Sequence, residues 1–336
     1  MTMPRVTILM PVHNGASYLR EAIESILAQT FRDFEFLIVD DASEDNSAAI
    51  VQSVSDPRIR LVRSDNRLRL SGALNLGLKK AAGDLIARMD ADDICLPSRI
   101  EEQVAHMDSH PKLGVSGTWV KVFGANRDGI ERYPESSQEV RAHSLFNTPF
   151  AHPTVMLRRK LFLKHSLTYD VTYYPTEDFE LWERALRLFP GDNMPRALLR
   201  YRVHEHSMTG NDWSEMDRQA SRVSARRLTD LGFEPVDEVV RFHRKVATAT
   251  VEVSVLDICR AEDWLKSILA ANDTKNLFER DALAEVVAEI WLRACMHTTG
   301  LGWWLVRKYA TSTLSRRASG TWLCACSVLK AAVNRK

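Results

Sequence analysis

The chain has 336 residues, enough for one large or two ordinary domains, and its 45% hydrophobic and 26% charged content excludes disordered and fibrous classes. With 45 basic against 44 acidic side chains the formal net charge is +1, which gives no electrostatic footprint for a nucleic-acid partner. That balance hides an asymmetry: eight basic residues and no acidic one follow Glu289, so residues 1–289 carry a net −7 and the tail +8.

Val6 to Val12 is a short β-branched apolar run, and Asn14-Gly15 after it marks a turn. From Ser17, a candidate N-cap, Leu19, Ile23, Ile26 and Leu27 fall at helical spacing. Phe34 to Val39 reads as a second buried strand ending in Asp40-Asp41-Ala42-Ser43, with a helix start near Asp45 to Ser47. Ile59 to Val62 is a third strand, Gly72 to Ala82 a helix, and Asp84 to Met89 a fourth strand running into Asp90-Ala91-Asp92-Asp93. This strand and helix alternation predicts an α/β fold, a Rossmann-like, mostly parallel sheet flanked by helices. In such sheets ligands bind beyond the carboxyl ends of the strands, where both acidic clusters fall.

Strands follow at Val115 to Phe123 and Thr154 to Leu157, with loops at Tyr133-Pro134 and His152-Pro153. Glu177 to Leu188 predicts an amphipathic helix, and Arg196 to Val203 a closing strand ending at His204. Beyond Gly210 only helical periodicity remains, through Met216 to Leu228, Val239 to Leu269 and Ala282 to Met296. The expected organisation is a catalytic domain over 1–210, divided near residue 110, and a helical C-terminal region over 211–336.

The cysteines Cys95, Cys259, Cys295, Cys324 and Cys326 show no C-x-x-C or zinc spacing, so a reducing compartment is expected. No secretory signal is read at the N-terminus, and the late charge-free runs are about a dozen residues against the roughly 20 that span a bilayer. A cytoplasmic location, peripheral to the cytoplasmic face of the membrane at most, follows as the expectation.

Asp-x-Asp at a strand end presents two carboxylates toward one point, because alternate residues of an extended chain share a face. A hard divalent ion, Mn²⁺ or Mg²⁺, would relieve their repulsion and hold phosphate oxygens. The competing reading is a solvated acidic turn capping the helix Pro97 to Met107. An EF-hand is excluded, since Ile94 and Cys95 occupy the fifth and sixth loop positions, where a ligand and a Gly are required. There is no G-x-G-x-x-G and no P-loop motif, which disfavours dinucleotide and P-loop chemistry.

Four ordered blocks, PVHNGASYLREAIESILAQTFRDFEFLIVDDASEDNS, GDLIARMDADD, TEDFELW and YRVHEHSMT, closely resemble the family 2 glycosyltransferases over residues 5 to about 209. The resemblance implies the GT-A fold and inverting, nucleotide-sugar-dependent transfer. It implies that Pro11, His13 and Asn14 lie along the uridine of a UDP-sugar and that Asp41 accepts the uracil N–H, with Asp40 supporting the loop. Glu21 and Arg69 are candidates for the same pocket. Many relatives carry Tyr in place of His13 and Gly in place of Ala42, and His13 also reads as a surface loop histidine. The D-A-D-D block matches the family's metal motif, with Asp92 a direct ligand, Asp90 toward ribose or metal, Asp93 in support and Arg88 a charge-balancing neighbour.

Glu177-Asp178 matches the block whose Asp is the catalytic base. Taken alone, these residues fit equally a helix start capped by Thr176, and that helix terminus favours an ionised Asp178. His204 is implied as a third metal ligand or diphosphate donor, Arg202 as a phosphate partner, with His206 nearby and His152 on the acceptor side. Q-x-x-R-W is absent, so single-sugar transfer to a saccharide or lipid-linked acceptor is expected. A sugar-nucleotide nucleotidyltransferase would need a basic, Gly-rich phosphate loop near the first strand, and a catalytically silent binding module would have no need of Asp92 and Asp178. In the tail, Trp303, Trp304, Leu305, Trp322, Leu323, Val328 and Leu329 lie among the unopposed basic residues, which fits an anionic membrane surface or a helical cap on the catalytic domain.

Overall fold

The structure is a computed structural model that describes residues 3–125, 127–205, 213–298 and 301–317. His206, the boundary at Gly210, and Trp322, Leu323, Val328 and Leu329 lie outside the described residues. The chain divides into two units, one of Met1–Val140 with Thr148–Met216, the other of Arg141–Asn147 with Asp217–Lys336.

The first unit is built on a mixed sheet. Strands β1 (Val6–Val12), β2 (Phe34–Asp40), β3 (Ile59–Arg63) and β4 (Leu85–Arg88) are parallel, in the order β3-β2-β1-β4. The sheet continues with β8 (Met156–Arg158), antiparallel to β4 and to β6 (Val115–Gly124). Next, β9 (Gly191–Arg202) runs parallel to β6, β5 (Ile94–Cys95) pairs antiparallel with β9, and β7 (Arg127–Glu131) hangs on β6.

Helices cover both faces, as the pleat of β1 dictates. Val6, Ile8, Met10 and Val12 pack with Leu19, Ile23 and Ile26 of α1 (Leu19–Leu27) and with Ile100, Val104 and Met107 of α4 (Arg99–Ser109). Leu9, facing the other way, packs with Leu74 and Leu78 of α3 (Arg69–Lys80) and with Leu181 and Trp182 of α7 (Glu177–Ala185). Gly77 lets α3 lie close on the sheet, since a Cβ there would come within 2.2 Å of the Leu9 side chain. Shorter helices α2 (Ser47–Gln52), α5 (Ser137–His143) and α6 (Arg159–Lys164) complete the layers.

Strand order reverses at β1, whose successor β2 lies on one side and β4 on the other. Pairing of β1 with β4 ends at Leu9 with Arg88, while pairing with β2 continues to Val12 with Asp40. Pro11, which lacks an N–H, therefore sits where β4 has already left the ladder. The crevice that opens there is the usual ligand position of such sheets.

The second unit contains α8 (Trp213–Leu231), α9 (Asp237–Ala247), α10 (Val255–Lys275), α11 (Arg280–His297) and α12 (Gly302–Thr311). Its core joins Ile258, Leu265 and Ile268 to Val287, Ile290 and Trp291 and to Leu305 and Tyr309. No described helix is long and apolar enough to cross a membrane.

Several elements differ from the sequence expectation. The helix begins at Leu19 after Tyr18, with no side-chain cap from Ser17. The run Val239 to Leu269 is two helices, with Ser254 capping α10 through its hydroxyl on the Asp257 N–H. The closing strand starts at Gly191, five residues early, because β6 draws it into a long parallel ladder despite Pro195. Leu305 is fully buried in the helical core and Trp304 packs against it, so of the three tail residues described only Trp303, 72% exposed, faces solvent.

Candidate functional site

At the ends of β1 and β2 the two loops are sewn together by side chains. Asn14 Oδ1 accepts from the Glu44 N–H at 2.9 Å, and Ser43 Oγ accepts from the Asn14 N–H at 3.0 Å. Asp40 is fully buried; its oxygens accept from the Ser43 N–H at 3.1 Å and from Arg63 Nε at 2.9 Å. Arg63 stands opposite Asp40 in the parallel register, so neighbouring strand ends supply the pair. Asp41 accepts the Leu68 N–H at 2.6 Å through Oδ1. The His13 ring lies 2.7 Å from the Asp41 carbonyl through Nδ1, and Arg67 reaches its Nε2. A neutral ring with its proton on Nδ1 satisfies both contacts.

Three non-glycine residues at this end, Asn14, Ala42 and Arg69, have φ of +51°, +52° and +59°. Left-handed backbone costs a residue with a Cβ on the order of 1 kcal/mol, and such costs concentrate at functional sites. Gly would relieve the cost at Ala42. The Arg69 guanidinium lies over the Tyr174 ring, 5.6 Å from its centre.

The second acidic cluster forms where β4 ends. Asp90, Asp92 and Asp93 bring carboxylate oxygens within 4.8 Å of one another. Asp90 is paired with the buried Arg88 and Asp92 with His204 Nε2 at 3.0 Å. Asp93, 1% exposed, accepts the Arg202 N–H at 2.8 Å through Oδ1, while its Oδ2 is buried without a partner. Burial, then the neighbouring carboxylates, push the Asp93 pKa well above the ordinary range, and burial raises that of Asp90. Three clustered carboxylates favour a cation among them. Carboxylate oxygens with one imidazole suit Mg²⁺ or Mn²⁺. Asp93 is buried, unlike a residue of a solvated turn, while Asp90 and Asp92 stay partly exposed.

Arg202 and Glu21 are engaged with each other. Arg202 donates Nε to the Asp92 carbonyl at 2.7 Å and Nη2 to Glu21, and its guanidinium lies over Tyr18 and Phe123.

At the start of α7, Glu177 is buried and Asp178 half-buried. Thr176 does not cap the helix: its hydroxyl donates to the Tyr173 carbonyl at 3.1 Å. Asp178 Oδ1 accepts the Phe179 N–H at 2.7 Å, and Thr148 Oγ1 approaches Oδ2 at 3.4 Å. Burial outweighs the helix terminus, so the Asp178 pKa lies above its ordinary value. Burial and the adjacent Asp178 raise Glu177 to about 7, and its Oε2 has no partner. The Arg88 charge acts on Asp90, Glu177 and Asp178 alike, which links this pair to the acidic cluster.

His152 bonds to the Tyr169 hydroxyl at 2.9 Å and meets Trp182 edge-on. Burial, then Arg88, hold its pKa well below the ordinary value, so it is neutral.

Sequence reasoning did not find Arg67, Tyr18, Thr148 or Tyr169, each of which touches a site residue from a distant segment. Arg63 was findable, because two adjacent parallel strands of equal phase end on opposite charges.

A switch-point crevice flanked by acidic strand ends, with a carboxylate-bearing helix start beside it, defines the GT-A class of nucleotide-sugar fold. The model for "Glycosyl transferase family 2" matches residues 7–167. The "Putative glycosyltransferase EpsE" of Bacillus subtilis is 36% identical over 210 residues, 61% of this chain and 74% of its own. The "UDP-Glc:alpha-D-GlcNAc-diphosphoundecaprenol beta-1,3-glucosyltransferase WfgD" of Escherichia coli is 30% identical over 64% of this chain and 83% of its own. Among solved structures, S. aureus TarS 1-349 in complex with UDP-GlcNAc has a TM-score of 0.60 at 17% identity, covering 86% of this chain and 87% of that one. Mannosyltransferase PcManGT from Pyrobaculum calidifontis in complex with GDP-Man and Mn²⁺ has a TM-score of 0.52 at 15% identity, over 100% and 89%. The chain belongs to glycosyltransferase family 2.

Proposed function

We propose that this glycosyltransferase is inverting and non-processive, and moves one sugar from a UDP-sugar to an acceptor hydroxyl during assembly of a surface polysaccharide or glycolipid. The observation that carries the reading is the joint presence of the Asp90/Asp92/Asp93 cluster and the Glu177-Asp178 pair around one buried cation, Arg88.

Asp41 accepts the uracil N–H with the oxygen that Leu68 does not use, and Pro11 and His13 flank the uridine. Asn14 and Asp40 hold the two loops in place. Arg69 borders the same pocket, while Glu21 is engaged by Arg202. Asp92, Asp90, Asp93 and His204 would hold a divalent cation, Mn²⁺ or Mg²⁺, whose charge would offset that of the departing diphosphate. Asp178 takes the proton from the acceptor hydroxyl as its oxygen bonds to the anomeric carbon, and the bond from that carbon to the diphosphate oxygen breaks on the opposite side. Asp178 is left as the acid, and UDP leaves with the bonding electrons. Glu177, raised to about 7 by burial and the adjacent Asp178, lies next to the base. His152, neutral and tied to Tyr169, borders the acceptor side.

Uridine recognition and a lipid-linked acceptor are supported by the similarity to WfgD, whose name describes transfer from UDP-Glc to a diphosphoundecaprenol-linked sugar. The basic tail would hold the enzyme near such an acceptor at the cytoplasmic membrane face. The test is transfer or hydrolysis over a panel of UDP- and GDP-sugars with Mn²⁺, Mg²⁺ or EDTA. Turnover that is unchanged by EDTA contradicts the cation, and a preference for GDP-sugars contradicts the uridine reading. For the tail, a chain ending at Arg317, which keeps the buried Leu305 and Tyr309, should float less with anionic liposomes at low salt than the full chain. Equal flotation removes the membrane reading.

A further inference from the structure

Arg202 ends β9, and its backbone and side chain both act on the acidic loop. Its N–H donates to Asp93 Oδ1 at 2.8 Å, its Nε to the Asp92 carbonyl at 2.7 Å, and its Nη2 to Glu21 on α1. The guanidinium lies 4.5 Å from the centre of the Tyr18 ring and 4.6 Å from that of Phe123. Two residues further on, His204 bonds to Asp92 at 3.0 Å, and its ring lies 4.9 Å from that of Tyr18. Tyr18 and Glu21 are three residues apart at the start of α1, so one helix face meets both Arg202 and His204.

We propose that the Glu21–Arg202 ion pair is a latch that holds the end of β9 against the acidic loop, presetting Asp92, Asp93 and His204 as one cation-binding unit. Tyr18, Glu21 and Arg202 are then positioning residues, and Arg202 is not a phosphate ligand. The inference rests on the divalent-cation reading above.

An ion pair at an exposed glutamate is ordinarily weak, because solvent screens it and two long side chains must be fixed. Here the arginine end is 15% exposed while the glutamate is 55% exposed, and the guanidinium is already fixed by two rings and a carbonyl. Little freedom remains to be lost when Glu21 engages, so the pair reports on the geometry of the loop it ties down. A phosphate ligand would present its fork to the diphosphate. In Arg202 two of the three guanidinium nitrogens are committed to protein oxygens.

The experiment is calorimetric titration of MnCl₂ into the full chain in the presence of UDP, with UDP affinity measured separately in EDTA. Wild type should bind Mn²⁺. E21Q, a near-isosteric change at an exposed site, should bind it about threefold more weakly, in line with one partly exposed ion pair. R202M, which keeps an apolar stem but removes the guanidinium with its bonds and its ring contacts, should bind it roughly tenfold or more weakly. R202K should fall between. Affinity for UDP in EDTA should be unchanged in all three, a result that separates positioning of the cation site from phosphate contact and from loss of fold.

Mn²⁺ affinity in E21Q and R202M equal to wild type overturns the latch alone. A loss of UDP affinity in R202M but not in E21Q makes Arg202 a phosphate ligand and overturns its positioning role. Failure of wild type to bind Mn²⁺ overturns the cation reading and this inference with it.

Discussion

In the helical unit, the buried carboxylate of Glu262 and the buried ring of His243 are answered by nearby partners. Glu262, 3% exposed, accepts from Ser312 at 2.7 Å and Lys266 at 2.8 Å and pairs with Lys308. Burial pushes its pKa up, but these bonds outweigh burial and bring it down to about 2. His243, fully buried, lies 3.0 Å from the Leu145 carbonyl through Nε2 and accepts from the Trp264 indole through Nδ1. At the strand ends of the α/β unit the opposite holds: Arg88 Nε, Asp93 Oδ2 and Glu177 Oε2 are buried with no partner. Each such atom costs about 1–3 kcal/mol. One buried carboxylate in the helical unit is met by three donors, whereas two carboxyl oxygens of the acidic site, on Asp93 and Glu177, have none.

The largest effect expected from this contrast is at Asp178. Asp178→Asn should lower kcat about 10²- to 10⁴-fold, the usual range for a general base, while UDP binding stays within a few-fold of wild type. Loss of UDP binding by the same variant, measured by calorimetry, would place Asp178 in the structural class with Glu262. Next in size is Asp92→Ala, which removes the carboxylate that His204 meets. It should abolish Mn²⁺-dependent activation while leaving the melting temperature near wild type, since Asp92 is half-exposed. Full activity in this variant would break the assignment of the acidic cluster to a cation.

Much of this site was legible in the sequence because its parts sit at strand ends. The short apolar runs Val6 to Val12 and Phe34 to Val39 located β1 and β2, and the acidic residues that follow the second of them lie at the carboxyl ends of a parallel sheet. The parts that were not legible depend on contacts between distant segments. Nothing in the run around Tyr18 marks it as the platform for Arg202 and His204, 184 and 186 positions away. The role expected for Arg202, a phosphate partner, came from the family resemblance, and no sequence signal marked the contacts of its side chain with Glu21 and the Asp92 carbonyl. In the tail, the aromatic and basic composition did not distinguish a membrane-facing residue from a core one. Helical phase does: Leu305 and Tyr309, four apart, turn inward while Trp303 turns out.

The effect that bears most directly on the contrast is how each unit responds to acid. Burial lowers His243 to about 3, and burial with Arg293 lowers His143 to about 4, against an ordinary value of 6.5. Between those values and pH 6.5 the unfolded chain binds protons that the folded unit refuses, so stability is lost as pH falls. Each histidine contributes about 1.4 kcal/mol per pH unit, hence roughly 3 kcal/mol per unit for the two. Glu177 has the reverse sign. Its folded pKa of about 7 exceeds the ordinary 4.5, so the folded state holds the proton more tightly and stability is lost as pH rises from 4.5 to 7. In the α/β unit this slope opposes that of the neutral His152, which follows the sign of the helical histidines. From pH 6.5 to 4.5 in EDTA, peptide-resolved hydrogen exchange should show α9 and α11 losing protection steeply while β1 and β4 change little. Glu177→Gln should remove the opposing slope and, because an amide needs no ionisation, stabilise the α/β unit at pH 7 by up to about 3 kcal/mol. Equal acid slopes in the two units, or an unchanged slope in Glu177→Gln, would mean that the unpartnered carboxyl is relieved by water in solution and that the strand-end site carries less stored charge than its geometry indicates.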